Sequence, residues 1–252
     1  MVTKRLPTND PRTIARDIPG LFEALFPQLV PGFVANLNRQ SIQVPECEAV
    51  SSDLVSASSL QKAMLFEVAV AAAEQLITDN DAVDWDACLT VALQRQSKHF
   101  DAKLASQLSA ADKEASLRVA TNLVAMLRYL QSKSVGEPLV HAPEIRGHQW
   151  IASGVGDFAL GEDVIEVKCT NKRFSSADYR QVVMYWLLSY SAAVEVGERE
   201  WIGGILVNPR LNLIVKFKFD DLIEIIGAGR SKIDLLEIFS SLVESRSPIL
   251  VA

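Results

Sequence analysis

Apolar residues recur at helical spacing through most of the first half of the chain. The clearest case is the segment 59–77, which is almost wholly apolar, has Ser58 or Ser59 as its N-cap and ends before the polar run at 78–81. Two prolines interrupt the segment 18–37, so short helices are expected there. The turn residues of 44–57 predict a loop. The same helical spacing predicts further helices at 85–97, 102–108 and 111–131.

The second half of the chain changes to the alternation of apolar and polar residues that is typical of strands. Three strands are predicted at 139–145, 148–160 and 163–169, and Pro143 makes the first of them an edge strand or a broken one. A helix at 177–194 follows, and then a hairpin whose strands are 201–207 and 212–219. Two helices, at 220–226 and 231–245, end the chain.

A tight turn between the second and third strands brings two acidic residues together. Gly161 and Glu162 form a two-residue loop, and glycine at the first position suits a type II′ turn. This register pairs Leu160 with Asp163 and places Asp157 directly opposite Glu166. A three-residue loop would put the two acids on a diagonal instead, still within reach of one metal ion. Glu166 shares its face of the strand with Lys168, because side chains alternate along a strand.

Two facing carboxylates need positive charge between them. The Cβ atoms of directly opposed residues are about 5 Å apart, and like charges at that distance repel each other. Lys168 supplies one positive charge, and a hard cation such as Mg²⁺ or Mn²⁺, which prefers oxygen ligands, would supply more. The alternative is that Asp157 and Glu166 are ordinary solvent-facing acids on a hairpin. The apolar residues that flank both acids favour the metal site.

Three short motifs in this region resemble those of the PD-(D/E)xK nuclease superfamily, and within it the RecB-like branch. They are GVGD at 154–157, IEVK at 165–168 and QVVMY at 181–185, and the resemblance covers about 135–219. The chain departs from the branch in three ways. The second acid is glutamate where aspartate is more common, the two acids are closely spaced, and the four cysteines of the cluster-bearing members are missing.

The resemblance implies a role for each matching residue. Asp157 and Glu166 would bind the metal, with the backbone carbonyl of Val167 as a further ligand. Lys168 would position or activate the attacking water and stabilise charge in the transition state, while the metal lowers the pKa of water and polarises the phosphate. Gln181 would orient water or phosphate at the edge of the site. Tyr185 lies one helical turn later on the same face and would pack, hydrogen-bond or contact nucleic acid nearby.

The resemblance also implies a fold. It is an α/β (α+β) fold of the restriction-endonuclease type, a mixed sheet flanked by helices, preceded here by a helical N-terminal half. Residues 1–134 would form a helical region that packs on the core, and residues 135–252 would form the nuclease core with its C-terminal helices.

Other titratable residues are weaker candidates for the site. Glu67 lies in an otherwise apolar helix, where a carboxylate is costly unless it is paired or binds a metal, so it is a candidate ligand. The alternative is an acid at the helix rim that reaches solvent. Glu144 matches a glutamate often found on the first strand of RecB-like chains. The three histidines, His99, His141 and His148, share no metal-ligand spacing.

Composition narrows the cellular setting. Three cysteines without paired spacing indicate a reducing compartment, and neither an apolar leader nor a segment of membrane-spanning length is visible. We therefore expect a cytoplasmic protein that does not enter membranes. The net charge is −6, whereas proteins that hold DNA tightly show a basic face. Near the motifs, Lys168 is joined by three further basic residues that are candidates for phosphate contacts, namely Lys172, Arg173 and Arg180.

Two classes of function follow. The first is a Mg²⁺-dependent nuclease that acts on nucleic acid, with DNA expected, in repair, recombination or phage defence. The second is an interaction subunit with a nuclease-like fold in a larger complex. The intact set of two acids and a lysine favours the first class, and the acidic charge indicates an additional protein partner such as a helicase or ATPase subunit. A metal-dependent phosphodiesterase for small nucleotides is a third possibility.

Overall fold

The computed structural model describes residues 10–12, 14, 18–78, 82–97 and 105–245. Helices fill the N-terminal half of the described chain, and strands begin after residue 138. The helices are α1 (Leu21–Leu25), α2 (Pro31–Arg39), α3 (Ser52–Ala57), α4 (Lys62–Ile77), α5 (Trp85–Gln96), α6 (Ala110–Lys133), α7 (Ser176–Val196), α8 (Phe219–Ile226) and α9 (Lys232–Glu244). The strands are β1 (Leu139–His141), β2 (Glu144–Ile145), β3 (Gly154–Val155), β4 (Phe158–Leu160), β5 (Asp163–Val167), β6 (Gly203–Asn208) and β7 (Leu213–Lys218).

A five-stranded mixed sheet in the order β1-β4-β5-β6-β7 organises the fold, and β2 and β3 form a separate antiparallel pair. Only the β5–β6 pairing in this sheet is parallel, because α7 connects these two strands as a crossover. The fold class predicted from the sequence, a mixed sheet flanked by helices after a helical N-terminal half, is confirmed.

Each face of the sheet is covered by its own set of helices. Ile165 and Val167 of β5 pack with α4, α5 and α6. Val164 points to the other face and packs with α1, α2, α7, α8 and α9. Glu166 lies between Ile165 and Val167 along the strand, so its side chain points to the face that α7 covers.

Most of the predicted elements are observed, and four predictions are wrong. The helix predicted at 59–77 begins at Lys62 with Gln61 as its N-cap, and not with Ser58 or Ser59, because both serines donate hydrogen bonds to Asp112. The predicted loop 44–57 contains α3, which begins where the Ser51 side chain accepts a hydrogen bond from the Leu54 N–H. Residues 105–108 of the predicted helix 102–108 are irregular, and its first three residues lie outside the described part of the chain. The predicted strand 148–160 is broken, because Gln149 takes a left-handed conformation (φ +52°) and Trp150 donates a hydrogen bond to the Val243 carbonyl of α9.

Asp112 joins two of the helices that cover the sheet. Its carboxylate is fully buried and caps α6 by accepting hydrogen bonds from the Ser109 N–H (2.8 Å) and hydroxyl (2.7 Å). It also accepts bonds from the Ser58 hydroxyl (2.6 Å) and the Ser59 N–H (2.9 Å), just before α4. Burial raises the pKa of Asp112, but the bonds from Ser58, Ser109 and Ser59 outweigh it and lower the pKa to about 2.

We predict that Asp112→Asn lowers the free energy of unfolding by about 2 kcal/mol, because an amide accepts fewer of these hydrogen bonds and leaves buried donors unpaired. Asp86→Asn is the matched control, since Asp86 is an exposed acid in the first turn of α5 and should change stability by less than about 0.5 kcal/mol. Denaturant unfolding of the three proteins measures both differences.

The same pair of proteins should show a defined pH dependence. The contribution of Asp112 is present above its ordinary pKa of 3.8 and is lost as the pH falls towards the folded pKa of about 2. The gap in stability between wild type and Asp112→Asn should therefore narrow over this range. A gap of constant size down to pH 2 would show that the charge of Asp112 is not what the serines stabilise.

Candidate active site

The hairpin of β4 and β5 brings Asp157 close to Glu166. The observed register pairs Leu160 with Asp163 and Phe158 with Ile165, as the sequence predicted. Asp157 lies just before β4, and its charge raises the pKa of Glu166. Gly161 begins the two-residue turn with φ +58°, a conformation that glycine adopts without strain.

Glu166, Lys168, Gln181 and Tyr185 form one hydrogen-bonded network. The Lys168 ammonium donates to Glu166 Oε1 and to Gln181 Oε1, both at 2.7 Å. The Gln181 amide donates to Glu166 Oε1 and to the Tyr185 hydroxyl oxygen, again at 2.7 Å. Because β5 carries the first two residues and the second turn of α7 carries Gln181, the network joins the sheet to its crossover helix.

The Glu166 carboxylate is buried with one oxygen lacking a protein partner. Its residue is 4% exposed, and Oε2 makes no hydrogen bond within the described residues, whereas Oε1 makes two. Burial raises the pKa of Glu166, and the charge of Asp157 raises it further, against the opposing effect of Lys168. Glu166 Oε2 is therefore one of the few buried polar side-chain atoms of the described residues that lack a hydrogen-bond partner.

One carboxylate oxygen of Asp157 accepts a backbone hydrogen bond, and the pKa of Asp157, like that of Glu166, is raised. Its Oδ2 accepts a hydrogen bond from the Val167 N–H at 2.7 Å. Burial raises the pKa of Asp157, and the neighbouring charge of Glu67 adds to this, while the Val167 bond and the charge of Lys168 lower it. The net direction is upward, so both acids of the pair carry a cost for being ionised without a cation.

Lys168 places a positively charged ammonium group next to the acid pair. Burial favours its neutral form, but the charges of Glu166 and Asp157 and the bond to Glu166 outweigh burial and raise the pKa of Lys168. The Lys168 side chain is 20% exposed, so the network is not wholly enclosed by protein.

Glu67 is near the acid pair but faces other residues. Its carboxylate lies 3.7 Å from Arg95 and 3.5 Å from the Gln96 amide on α5. Over the part of the chain that the structure describes, no three Asp, Glu, His or Cys side chains form a group that could hold a metal ion. Glu67 therefore does not complete a three-acid group with Asp157 and Glu166, although its charge raises the pKa of Asp157.

Arg12 is a neighbour of the site that sequence reasoning missed. A Cβ added to Gly154 would lie 2.6 Å from a Pro11 side-chain carbon, so the chain near residue 11 packs directly on β3. The charge of Arg12 lowers the pKa of both Asp157 and Glu166. More than 140 residues separate Arg12 from these acids along the chain, and no local motif marks it.

The predicted basic residues around Lys168 are dispersed. Arg180 forms an ion pair with Glu23 at 2.9 Å and lies over the Phe22 ring, so it stabilises the contact between α1 and α7. Lys172 is exposed on the loop after β5. Arg173 donates to the Asn38 carbonyl on α2 at 2.8 Å. Of the three, only Lys172 and Arg173 are turned to solvent without an acidic partner among the described residues.

The remaining candidates have structural surroundings. Tyr185 is fully buried behind Gln181, which leaves it no surface for contact with nucleic acid. Glu144 is exposed on β2. His141 contacts Glu74 at 2.8 Å, and the buried His148 is held by the hydroxyls of Ser191 and Ser240. The third histidine, at position 99, lies outside the described residues.

Comparison of the chain with protein-family models, curated proteins and solved structures finds no match. Among the described helices, none has the length and apolar character needed to cross a bilayer. The function of the site is therefore inferred from its own chemistry.

We predict that Gln181→Ala lowers the free energy of unfolding by about 1–3 kcal/mol, because it removes hydrogen bonds to Lys168, Glu166 and Tyr185 in a largely buried network. Gln131→Ala, on the exposed face of α6, is the matched control and should be neutral within about 0.5 kcal/mol. Chemical denaturation measures the free energy of unfolding of each protein. Equal losses in the two variants would show that the hydrogen bonds of Gln181 do not stabilise the fold.

Proposed function

We propose that this protein is a divalent-metal-dependent nuclease of the PD-(D/E)xK type that hydrolyses phosphodiester bonds of nucleic acid, with DNA as its substrate. One observation carries the proposal: Glu166 presents a buried, unpartnered carboxylate oxygen close to a second acid, Asp157, beside the ammonium of Lys168. A purely structural ion pair would be expected to satisfy that oxygen, because an unpaired buried polar atom is costly.

The donor set fits Mg²⁺ or Mn²⁺. These cations prefer oxygen ligands, and Mg²⁺ is commonly held by only one or two carboxylates, with water and substrate phosphate completing the shell. Asp157 and Glu166 would therefore suffice, together with the Val167 carbonyl as the further ligand that the motif implies. A bound cation would supply Lewis-acid polarisation of a phosphate oxygen and lower the pKa of water.

The protein's own residues have distinct parts in this chemistry. Lys168 offers positive charge and an ammonium N–H to a phosphate oxygen, which would stabilise the charge that develops in the transition state. Gln181 accepts a hydrogen bond from Lys168 and donates one to Glu166, so it fixes the lysine relative to the acid. Tyr185 holds the Gln181 amide from behind. Arg12 adds positive potential at the same end of the sheet.

The acidic surface supports an additional protein partner. The net charge of −6 gives weak attraction to duplex phosphates, so a helicase, an ATPase or another nucleic-acid-binding subunit would supply affinity for long substrates. Such a complex would act in DNA repair, recombination or phage defence.

We predict that the purified protein cleaves nucleic acid only with Mg²⁺ or Mn²⁺, and that Asp157→Ala, Glu166→Ala and Lys168→Ala each reduce cleavage about a hundredfold or more, because each removes charge from the reacting centre. The measurement is the rate of product formation from linear, circular and single-stranded DNA and from RNA, with metal or with EDTA.

Lys218→Ala is the matched control for the lysine. Lys218 is exposed on β7 and pairs with Gly203, at the opposite end of β6 from the strand end beside Val167. The Lys218→Ala protein should therefore cleave nucleic acid at the wild-type rate. If the protein cleaves nucleic acid in EDTA, or if Asp157→Ala cleaves it at the wild-type rate, this site is not the active site. Absence of cleavage on every substrate would instead favour an interaction subunit.

We predict a thermal shift from metal that depends on the acid pair. Asp157→Asn keeps an oxygen for the Val167 N–H but removes a charge, so without metal it should melt no lower than wild type. Wild type should gain about 2.7 kcal/mol at a hundredfold excess of metal over its dissociation constant, and the variant should gain little. Thermal melts with EDTA and with Mn²⁺ measure both effects.

Asp221→Asn, at an exposed acid of α8, should respond to Mn²⁺ like wild type. A metal-induced shift in Asp157→Asn as large as in wild type would mean that the cation binds elsewhere.

A further inference from the structure

A large cavity lies between α2 and the loop that leads from β5 into α7. Its volume is about 1020 Å³, which is at the upper end of the range for pockets that hold small organic ligands. Arg39 and Arg173 line it from opposite elements, and Val34, Phe174 and Leu213 supply apolar wall. We call this feature the Arg39–Arg173 cavity.

The charge of the cavity is opposite to that of the chain as a whole. The protein carries a net charge of −6, yet no aspartate or glutamate belongs to the described lining of the cavity. Within the described residues, neither Arg39 nor Arg173 forms an ion pair with an acid, whereas the arginines at positions 12, 95, 146 and 180 do. Two unneutralised guanidinium groups therefore face one concave surface.

Hydrogen bonds hold Arg173 in place. Its Nη1 donates to the Asn38 carbonyl at 2.8 Å, and the Asn38 side-chain amide donates to the Phe174 carbonyl at 2.7 Å. This reciprocal pair ties α2 to the loop and fixes the guanidinium, which keeps further N–H donors for a ligand. A group that is ordered before binding loses less entropy on binding. Arginine in such a position suits phosphate, because its planar donors can engage two oxygens at once.

The cavity lies close to the reacting centre along the chain. Arg173 follows Lys168 by five residues, and Asn208 pins the intervening loop through its bonds to the Thr170 carbonyl (3.0 Å) and the Lys172 carbonyl (3.3 Å). Along α7, five residues separate Ser176 at the cavity from Gln181 at the acid pair, which is about 7.5 Å of helix.

These observations point to one kind of ligand. We propose that the Arg39–Arg173 cavity binds an unpaired strand of nucleic acid next to the phosphate that is cleaved, with the arginines on backbone phosphates and the apolar wall against a base. A cavity of this volume admits one or two nucleotides but not a duplex. Cationic grooves with apolar surface are how proteins hold single strands without reading their sequence. This proposal rests on the proposed nuclease function and narrows its substrates to those with an unpaired segment or end.

The test is binding of a fluorescent six-nucleotide oligothymidylate to the full chain in EDTA, followed by anisotropy at several salt concentrations. Arg39→Glu should weaken binding about tenfold, because it reverses a phosphate-binding charge. Arg39→Ala with Arg173→Ala should do the same and reduce the salt dependence by about 1.4 in log–log slope, the value for two lost contacts on a single strand. Arg118→Ala with Arg128→Ala, two exposed arginines of α6, should bind like wild type.

The Arg39→Glu protein also separates failure of the cavity proposal from failure of the nuclease proposal. The Arg39 side chain makes no hydrogen bond within the described residues, so Arg39→Glu tests the cavity without removing the hydrogen bonds between Arg173, Asn38 and Phe174. If wild type cleaves DNA while Arg39→Glu binds the oligonucleotide and cleaves tailed duplexes unchanged, the cavity proposal is wrong and the nuclease proposal stands. If no protein cleaves but Arg39→Glu loses binding, the cavity binds single strands and the nuclease function is what fails.

Discussion

Repulsion between the carboxylates of Asp157 and Glu166 is the constraint around which the described site is built. The hairpin register brings the two acids close together, and burial strengthens their repulsion because the surroundings screen charge less than water does. Lys168 neutralises one side of the pair, and Gln181 holds Lys168 where it can do so. The second oxygen of Glu166 has no hydrogen-bond partner within the described residues, so the protein compensates the repulsion only in part. A bound cation would remove it at little structural cost.

The parts of the site that depend on local spacing were predictable. A two-residue turn with Gly161 fixed the register of the hairpin, and alternation along β5 put Glu166 and Lys168 on one face. The four-residue spacing of Gln181 and Tyr185 placed both on one side of α7, where they are hydrogen-bonded. In each case the chain separation is short, so few conformations compete with the observed one.

Features that depend on distant contacts were not predictable in this way. The strand expected at 148–160 is interrupted because Trp150 and His148 are held by α9, almost a hundred residues later. Arg180 looked like part of a basic patch, but Glu23 on α1 neutralises it. Arg12 reaches the site only because Pro11 packs against Gly154. Each outcome is decided by a tertiary contact that outweighs local preference, and a single sequence carries no periodic signal for it.

The geometry of the β4–β5 turn sets which kinds of change the site can tolerate during evolution. Side chains alternate with a period of two, so one residue inserted between Leu160 and Asp163 would shift the pairing and move Glu166 away from Asp157. Residues whose side chains point to solvent along the same hairpin can vary in identity without changing that pairing. Single-codon insertions and deletions at residues 161–162 would therefore disturb the site directly. Gly161 is constrained in identity as well, because its φ is +58° and an added Cβ would lie 2.8 Å from a Glu137 side-chain oxygen. The length of this turn and its glycine are the properties that selection would hold constant.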